Sequence, residues 1–254
     1  YMRAKKESNQ TRFYVCFALA IFGAMGVALA GNMFTLFICY EVLTITTYPL
    51  VTHAGTPEAM RSGRTYLGLL LGSSIGLQLA AIIGTWYLTG TLDFRDGGVF
   101  AGHVQGPVIG LLLFLYVYGI GKAALMPIHR WLPAAMVAPT PVSAYLHSAT
   151  MVKAGVYLVA RMAPMFATEG NWRFVLLTVG SATMLIGGLR ALRQHDLKLL
   201  LAYGTVSQLG FMMLLFGAGD DHIAQAGVVL LLAHGAFKAA LFMVVGIVDR
   251  EVGT

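Results

Sequence analysis

FYVCFALAIFGAMGVALAGNMFTLFICYEVLTITTYPLVT, residues 13–52, holds forty residues and a single charge, Glu41. A transmembrane helix needs about 20 mostly apolar residues. The run is therefore too long for one span, and Gly31-Asn32 supplies the turn that divides it into two helices. Outward from it, uncharged runs recur at Thr65 to Leu92, Val104 to Gly121 and Leu199 to Gly219. Shorter or once-interrupted runs follow at Val142 to Ala160, Phe174 to Leu189 and Ile223 to Val248. The expectation is an all-α membrane protein with about eight transmembrane helices: 13–30, 33–52, 65–88, 108–137 with a break, 142–161, 174–189, 198–216 and 223–248. β-barrel strands are excluded, because they are about ten residues long and alternate apolar with polar.

Composition agrees. Hydrophobic side chains make up 57% of the 254 residues and charged ones 11%, against roughly 25% charged in soluble domains. Disorder is excluded by the same figures. A nucleic-acid partner is not expected, since a basic stripe needs many exposed cations and the whole chain has 17 Lys and Arg. Cys16 and Cys39 lie in apolar stretches without ligand neighbours, so neither a disulfide framework nor a metal site is read, and no cofactor is expected.

Eight alternating spans place the arm 1–12, residues 53–64, the region near 138, residues 190–198 and the C-terminal end on one side. That side carries Arg3, Lys5, Lys6, Arg12, Arg61, Arg64, Arg130, Arg190, Arg193, Lys198 and Arg250, and the other Arg95, Arg161 and Arg173. By the positive-inside rule both ends are expected in the cytoplasm, in a multi-pass protein of the cell (inner) membrane. No cleavable targeting segment is visible. The chain begins at Tyr1 rather than Met and stops just after its last helix, which reads as a piece of a longer protein.

Three cations, Lys122, Lys153 and Lys238, have no loop to occupy. With Glu41, His147 and His234 they form an intramembrane set of six, and His129 stands at its edge. Charges at membrane depth are costly and mark ion or proton paths by default. All six can gain or lose a proton, and Arg, which does not titrate, is missing from the set. Lys122 sits in Gly121-Lys122-Ala123-Ala124-Leu125-Met126-Pro127, and Pro127 clashes with the carbonyl four residues back, so the helix should break at Ala123. Prolines 127, 133, 139 and 141 crowd this stretch. A broken helix at depth faces protein or a watery cavity, and the negative end of its first half suits an ammonium. A phosphate loop is rejected, because Tyr116 and Ala123 occupy positions that need Gly and Ser or Thr.

His147 and Lys153, six residues apart, are expected on different faces of one helix. His234 and Lys238, spaced i,i+4, share a face. Ser143, Ser148, Thr150, Thr205, Ser207 and Gln208 either hold water or pack helices, packing being favoured. Gly187-Gly188 should allow close helix approach. Trp86, Trp131 and Trp172 read as interfacial anchors, and Asp196 and Lys198 as the start of the seventh helix.

These stretches resemble a known family. Gly121 to Pro127, Trp131-Leu132-Pro133-Ala134-Ala135-Met136, Ala138 to Ala144, Leu146 to Val152 and Ala154-Gly155-Val156-Tyr157 look like the core signature of antiporter-like membrane subunits. That family holds the large subunits of Mrp-type Na⁺/H⁺ antiporters, the proton-pumping subunits of respiratory complex I and relatives in membrane-bound hydrogenases. Asp196-Leu197-Lys198, Thr205 to Gly210 and His234 to Ala239 continue the match. Within the Mrp group, Tyr40 to His53 looks like the D-type protein, whereas Phe237 to Asp249 looks more like the A-type.

The resemblance implies two inverted five-helix repeats, with 13–163 the first, broken near 122–128, and 171–254 the first three helices of a truncated second. It implies that Glu41 is the family's essential glutamate and Lys122 its broken-helix lysine. His147, Lys153, His234 and Lys238 would form the hydrophilic axis. The expected function is proton translocation in a multisubunit monovalent cation/proton antiporter, with other membrane subunits as partners and protons and Na⁺ or K⁺ as cargo. A proton-pumping subunit of an NADH:quinone oxidoreductase or hydrogenase-linked complex is the alternative, and a non-transporting scaffold a third. In no case is the chain expected to house its own redox centre, so it is read as a transporter rather than an enzyme.

Overall fold

The computed structural model describes residues 2–3, 7–94, 99–100, 106–166 and 170–252. Lys5, Lys6 and Arg95 of the charge count, and the last two residues of the expected second repeat, lie outside them. Apart from one isolated bridge between Asn32 and Asp93, every regular element among the described residues is helical. Among the described residues six helices are long and apolar enough to cross a membrane: α1 (Gln10–Leu29), α2 (Met33–Val51), α3 (Pro57–Thr89), α8 (Gly170–Ala191), α9 (Leu197–Gly217) and α10 (Asp221–Val252). Between them lie α4 (Pro107–Gly119), α5 (Trp131–Ala134), α6 (Thr140–Ala144) and α7 (Met151–Met162). The fourth and fifth expected spans are thus discontinuous. At 13 residues, α4 rises about 20 Å, short of a bilayer core of about 30 Å.

Local chemistry sets the ends. Asn32 caps α2 by accepting the Thr35 N–H at 2.8 Å, so the turn at Gly31-Asn32 falls where expected. Thr56 and Asp196 cap α3 and α9 in the same way, through Ala59 and Leu199. Two π turns, Ser74–Gln78 in α3 and Tyr145–Ala149 after α6, carry no signal in the hydrophobic pattern.

Helix α4 stops at Gly119, four residues before the position that Pro127 alone would set. Close packing explains the difference. A side chain at Gly119 would meet the Gln78 amide nitrogen at 2.5 Å, and one at Gly121 would strike the Ser73 hydroxyl, so the π turn of α3 holds the end of α4. The backbone groups freed by the break find partners elsewhere, as buried amides and carbonyls must. Tyr40 accepts the Lys122 N–H at 3.1 Å, Thr183 accepts that of Met126 at 3.1 Å, and the Trp131 indole donates to the Gly121 carbonyl at 2.8 Å. Trp131 is completely buried, and Trp172 is stacked on Phe166 at 4.8 Å. Neither is the interfacial anchor expected; of the three tryptophans only Trp86 is exposed. Trp131→Phe removes one of the two donors to the Gly121 carbonyl, the other being the Ala124 N–H, so we expect the assembled protein to lose about 0.5–1.5 kcal/mol, seen as a lowered Tm.

Close approach also joins α8 to α9. A side chain at Gly187 would lie 2.6 Å from the Ser207 amide nitrogen, and one at Gly180 2.9 Å from the Gly210 carbonyl. Ser207 donates to the Met184 carbonyl at 2.9 Å, so it packs helices rather than lining a path. Helix α10 buries only a narrow stripe among its described residues: Gly227, His234, Lys238, Phe242 and Gly246.

Candidate functional site: two titratable clusters joined by a broken helix

Lys122 is sealed inside the bundle, fully buried on the short turn Gly121–Ala123. Its ammonium donates to Thr44 Oγ1 at 2.6 Å, lies 3.9 Å from Glu41 Oε1, and sits 3.1 Å from the centre of the Tyr40 ring. Helix α2 thus supplies all three partners. Tyr40 binds the same residue twice, at its amide through the phenol oxygen and at its ammonium through the ring face, which attracts cations. Tyr40 and Thr44 were missed in the sequence. Their one signal is spacing: they are i,i+4 on the helix that carries Glu41, and so share a face.

The second cluster forms where α7 and α9 meet the buried stripe of α10. Lys153 Nζ is 2.7 Å from His234 Nδ1. Lys238 donates to the Leu201 carbonyl of α9 at 3.0 Å, an oxygen that also accepts from Thr205 Oγ1 at 2.8 Å. The His147 ring packs against Phe242 at 5.1 Å, and Phe242 follows Lys238 by one turn on the buried stripe of α10. His234 and Lys238 share the buried stripe as their spacing predicts.

His147 and Lys153 do not diverge as expected. Six residues of regular helix would set them about 120° apart, yet both face α10. The π turn Tyr145–Ala149 and the non-helical Thr150 (φ −125°, ψ −71°) between them reset the phase. Helix α7 also links the clusters. Gly155 packs directly on the backbone of Lys122 and Ala123, two residues beyond Lys153.

Thr140, Ser143 and His147 stand at i, i+3 and i+7, all buried, and neither their hydroxyl oxygens nor either imidazole nitrogen has a hydrogen-bond partner among the described residues. Thr140 packs on Gly246 of α10, next to Val245, which lines the mouth of a cavity of about 970 Å³ together with Thr56, Glu58, Met136, His195, Lys198 and Asp249, among others. That mouth gathers segments the charge count puts on one side: 53–64, the region near 138, 190–198 and the end of α10. Arg12, donating to the His53 carbonyl at 3.4 Å, adds the start of α1.

A family profile described as NADH:quinone oxidoreductase/Mrp antiporter, TM, matches residues 30–254. The chain belongs to this family. Antiporter subunit mnhA2, as it is named in Staphylococcus aureus (strain MRSA252), is 36% identical over all of this chain. A protein of Rhizobium meliloti (strain 1021), named as the A/B component of a K⁺/H⁺ antiporter, is 39% identical over 98% of it. The chain spans 34% and 25% of these relatives. Among solved structures, the Mrp complex from Dietzia sp. DQ12-45-1b superposes with a TM-score of 0.89 at 34% identity, over 96% of this chain and 27% of that one. The membrane-bound sulfane sulfur reductase, an archaeal respiratory membrane complex, gives 0.84 at 29% identity, over 93% of this chain and 49% of that one. Family membership and the apolar helices together make this a multi-pass membrane protein of the NADH:quinone oxidoreductase/Mrp antiporter family.

Proposed function

We propose that the chain is the core of a proton-translocating subunit in a multisubunit monovalent cation/proton antiporter, working with other membrane subunits in a bacterial-type cell membrane. Residues 13–163 form its first repeat and 171–254 the opening of a second, with both ends cytoplasmic on the count of cations. Glu41, Lys122, Lys153, His234, Lys238 and His147 hand protons along the interior.

Support comes above all from the setting of Lys122. A buried pair that serves stability alone needs tight, hydrogen-bonded geometry, with N⁺–H···O⁻ distances of about 2.7–2.9 Å. Lys122 and Glu41 stand at 3.9 Å, and the ammonium's short bond goes to a neutral hydroxyl. At this separation their attraction is about 4 kcal/mol for an effective dielectric near 20, comparable with the several kcal/mol that burying one ion costs. Near balance, a small change in the gap decides whether the proton stays, since each 1.36 kcal/mol changes proton affinity tenfold. At 2.7 Å, Lys153 and His234 can pass a proton directly. The Thr140–Ser143–His147 row offers hydroxyls and ring nitrogens to water entering from the mouth, which would satisfy groups that otherwise cost about 1–3 kcal/mol each.

The test uses the full-length protein in its complex, in everted membrane vesicles, with Na⁺ or K⁺ added to collapse an imposed pH gradient. Glu41→Gln, which keeps shape and removes the charge, should slow the collapse at least about tenfold, and Glu41→Asp should restore part of it. An unchanged rate in Glu41→Gln overturns the proposal. A redox-driven pump is the second reading, favoured by the likeness to the sulfane sulfur reductase complex. Native co-purification with flavin or iron–sulfur subunits would select it.

A further inference from the structure

Helix α8 carries none of the six titratable residues, yet it holds the broken segment at two points. Thr183 Oγ1 accepts the Met126 N–H at 3.1 Å while donating to the Val179 carbonyl at 2.7 Å. Two turns along the same face, the Arg190 guanidinium lies 3.0 Å from His129 Nε2. Guanidinium can only donate, so Nε2 accepts and the ring proton sits on Nδ1. Arg190 also stands 5.9 Å from the Tyr203 ring of α9, within range of a cation–π contact. Tyr203 lies two residues from Leu201, whose carbonyl holds Lys238, and next to Gly204, which adjoins the Lys238 ammonium.

We propose that Thr183 and Arg190 are positioning residues for Lys122. They clamp Met126 and His129 to α8, fix where the interrupted segment places the Lys122 ammonium against Thr44 and Glu41, and tie that setting to the helix that holds Lys238. Without the clamp the segment keeps its inner ties, Trp131 to Gly121 and Lys122 to Tyr40, but loses its outer ones. Its backbone is irregular from Ile120 to Ile128, including Ala124 at φ 50°, so helical hydrogen bonding alone does not hold it in place. Arg190 suits a fixed clamp because its charge is permanent and its planar fork is pre-organised. The functional part rests on Lys122 carrying a proton; the mechanical part does not.

The experiment treats the two parts separately, in the full complex. Hydrogen–deuterium exchange of peptides covering 120–131 reads the clamp. Arg190→Met should speed their exchange about tenfold, the scale of a lost hydrogen bond to a charged group. Thr183→Val should act in the same direction, and His129→Gln, which keeps an acceptor, should stay within about twofold of the parent. Vesicle transport then reads the consequence. Arg190→Met should shift the pH profile of cation/proton exchange while the complex assembles normally. Arg190→Met with His129→Phe should be no worse than the poorer single variant, because both cut one contact. Unchanged protection in Arg190→Met overturns the clamp. Altered protection with an unmoved pH profile, or additive losses in the double variant, overturns the positioning role. If Arg190→Met does not assemble, Arg190→Lys and Thr183→Val decide by the same measurements. If Lys122→Ala leaves exchange intact, it is the reading of function that falls, and the protection result still decides the clamp.

Discussion

Lys122→Ala in the full-length protein is expected to reduce cation/proton exchange by about a hundredfold or more, the scale on which a single proton-transferring side chain acts. Lys122→Arg should fail almost as completely, and this variant discriminates. Arg keeps the positive charge and could still pair with Glu41, so a purely structural ion pair or a scaffold would tolerate it. It cannot release a proton at any pH the protein meets, and its planar head would have to fit between the Tyr40 ring, 3.1 Å away, and Thr44, 2.6 Å away. Exchange measured in vesicles beside the abundance of the assembled complex separates the cases. Lost exchange with normal assembly in both variants supports proton carriage, and retained exchange in Lys122→Arg refutes it.

Gly155→Leu is expected to abolish assembly, and Gly155→Ala to lower exchange at least tenfold while part of the protein still assembles. A side chain there would lie 2.7 Å from the Ala123 Cα and 2.8 Å from the Lys122 carbonyl carbon. Both neighbours are backbone, so neither can swing aside as a side-chain tip can. Overpacking of this kind costs about 1–3 kcal/mol even with one methyl, and here the strain falls on the segment that carries Lys122. Gly72, with nothing within 4 Å of its would-be Cβ, is the control, and Gly72→Ala should leave abundance and exchange unchanged. Immunoblots of the complex and vesicle transport check both.

Much of this was legible in the sequence, for physical reasons. Long uncharged runs fix helices because an unsatisfied backbone cannot cross a bilayer, and the Gly31-Asn32 turn and the Asp196 cap are local features. The break at Lys122 showed through its prolines, and the shared stripe of His234 and Lys238 through simple periodicity. What stayed hidden depends on residues far apart in the chain. Tyr40 and Thr44 meet Lys122 across some eighty positions. The burial of Trp131 goes with a carbonyl ten residues earlier, that of Gly121, which accepts both the Ala124 N–H and the indole N–H in the short turn after α4. The common direction of His147 and Lys153 turns on a π turn whose residues look like any other helix.

That π turn has a consequence for how such a site can change. Lengthening or shortening a helix by one residue rotates everything beyond it by about 100°. At Tyr145–Ala149 the relation between His147 and Lys153 is therefore written in chain length as much as in side-chain identity. A relative could keep both residues and still aim them apart through one inserted or deleted position, and another could change both and preserve the geometry. Alignments of this stretch are better judged by their gaps than by their matches.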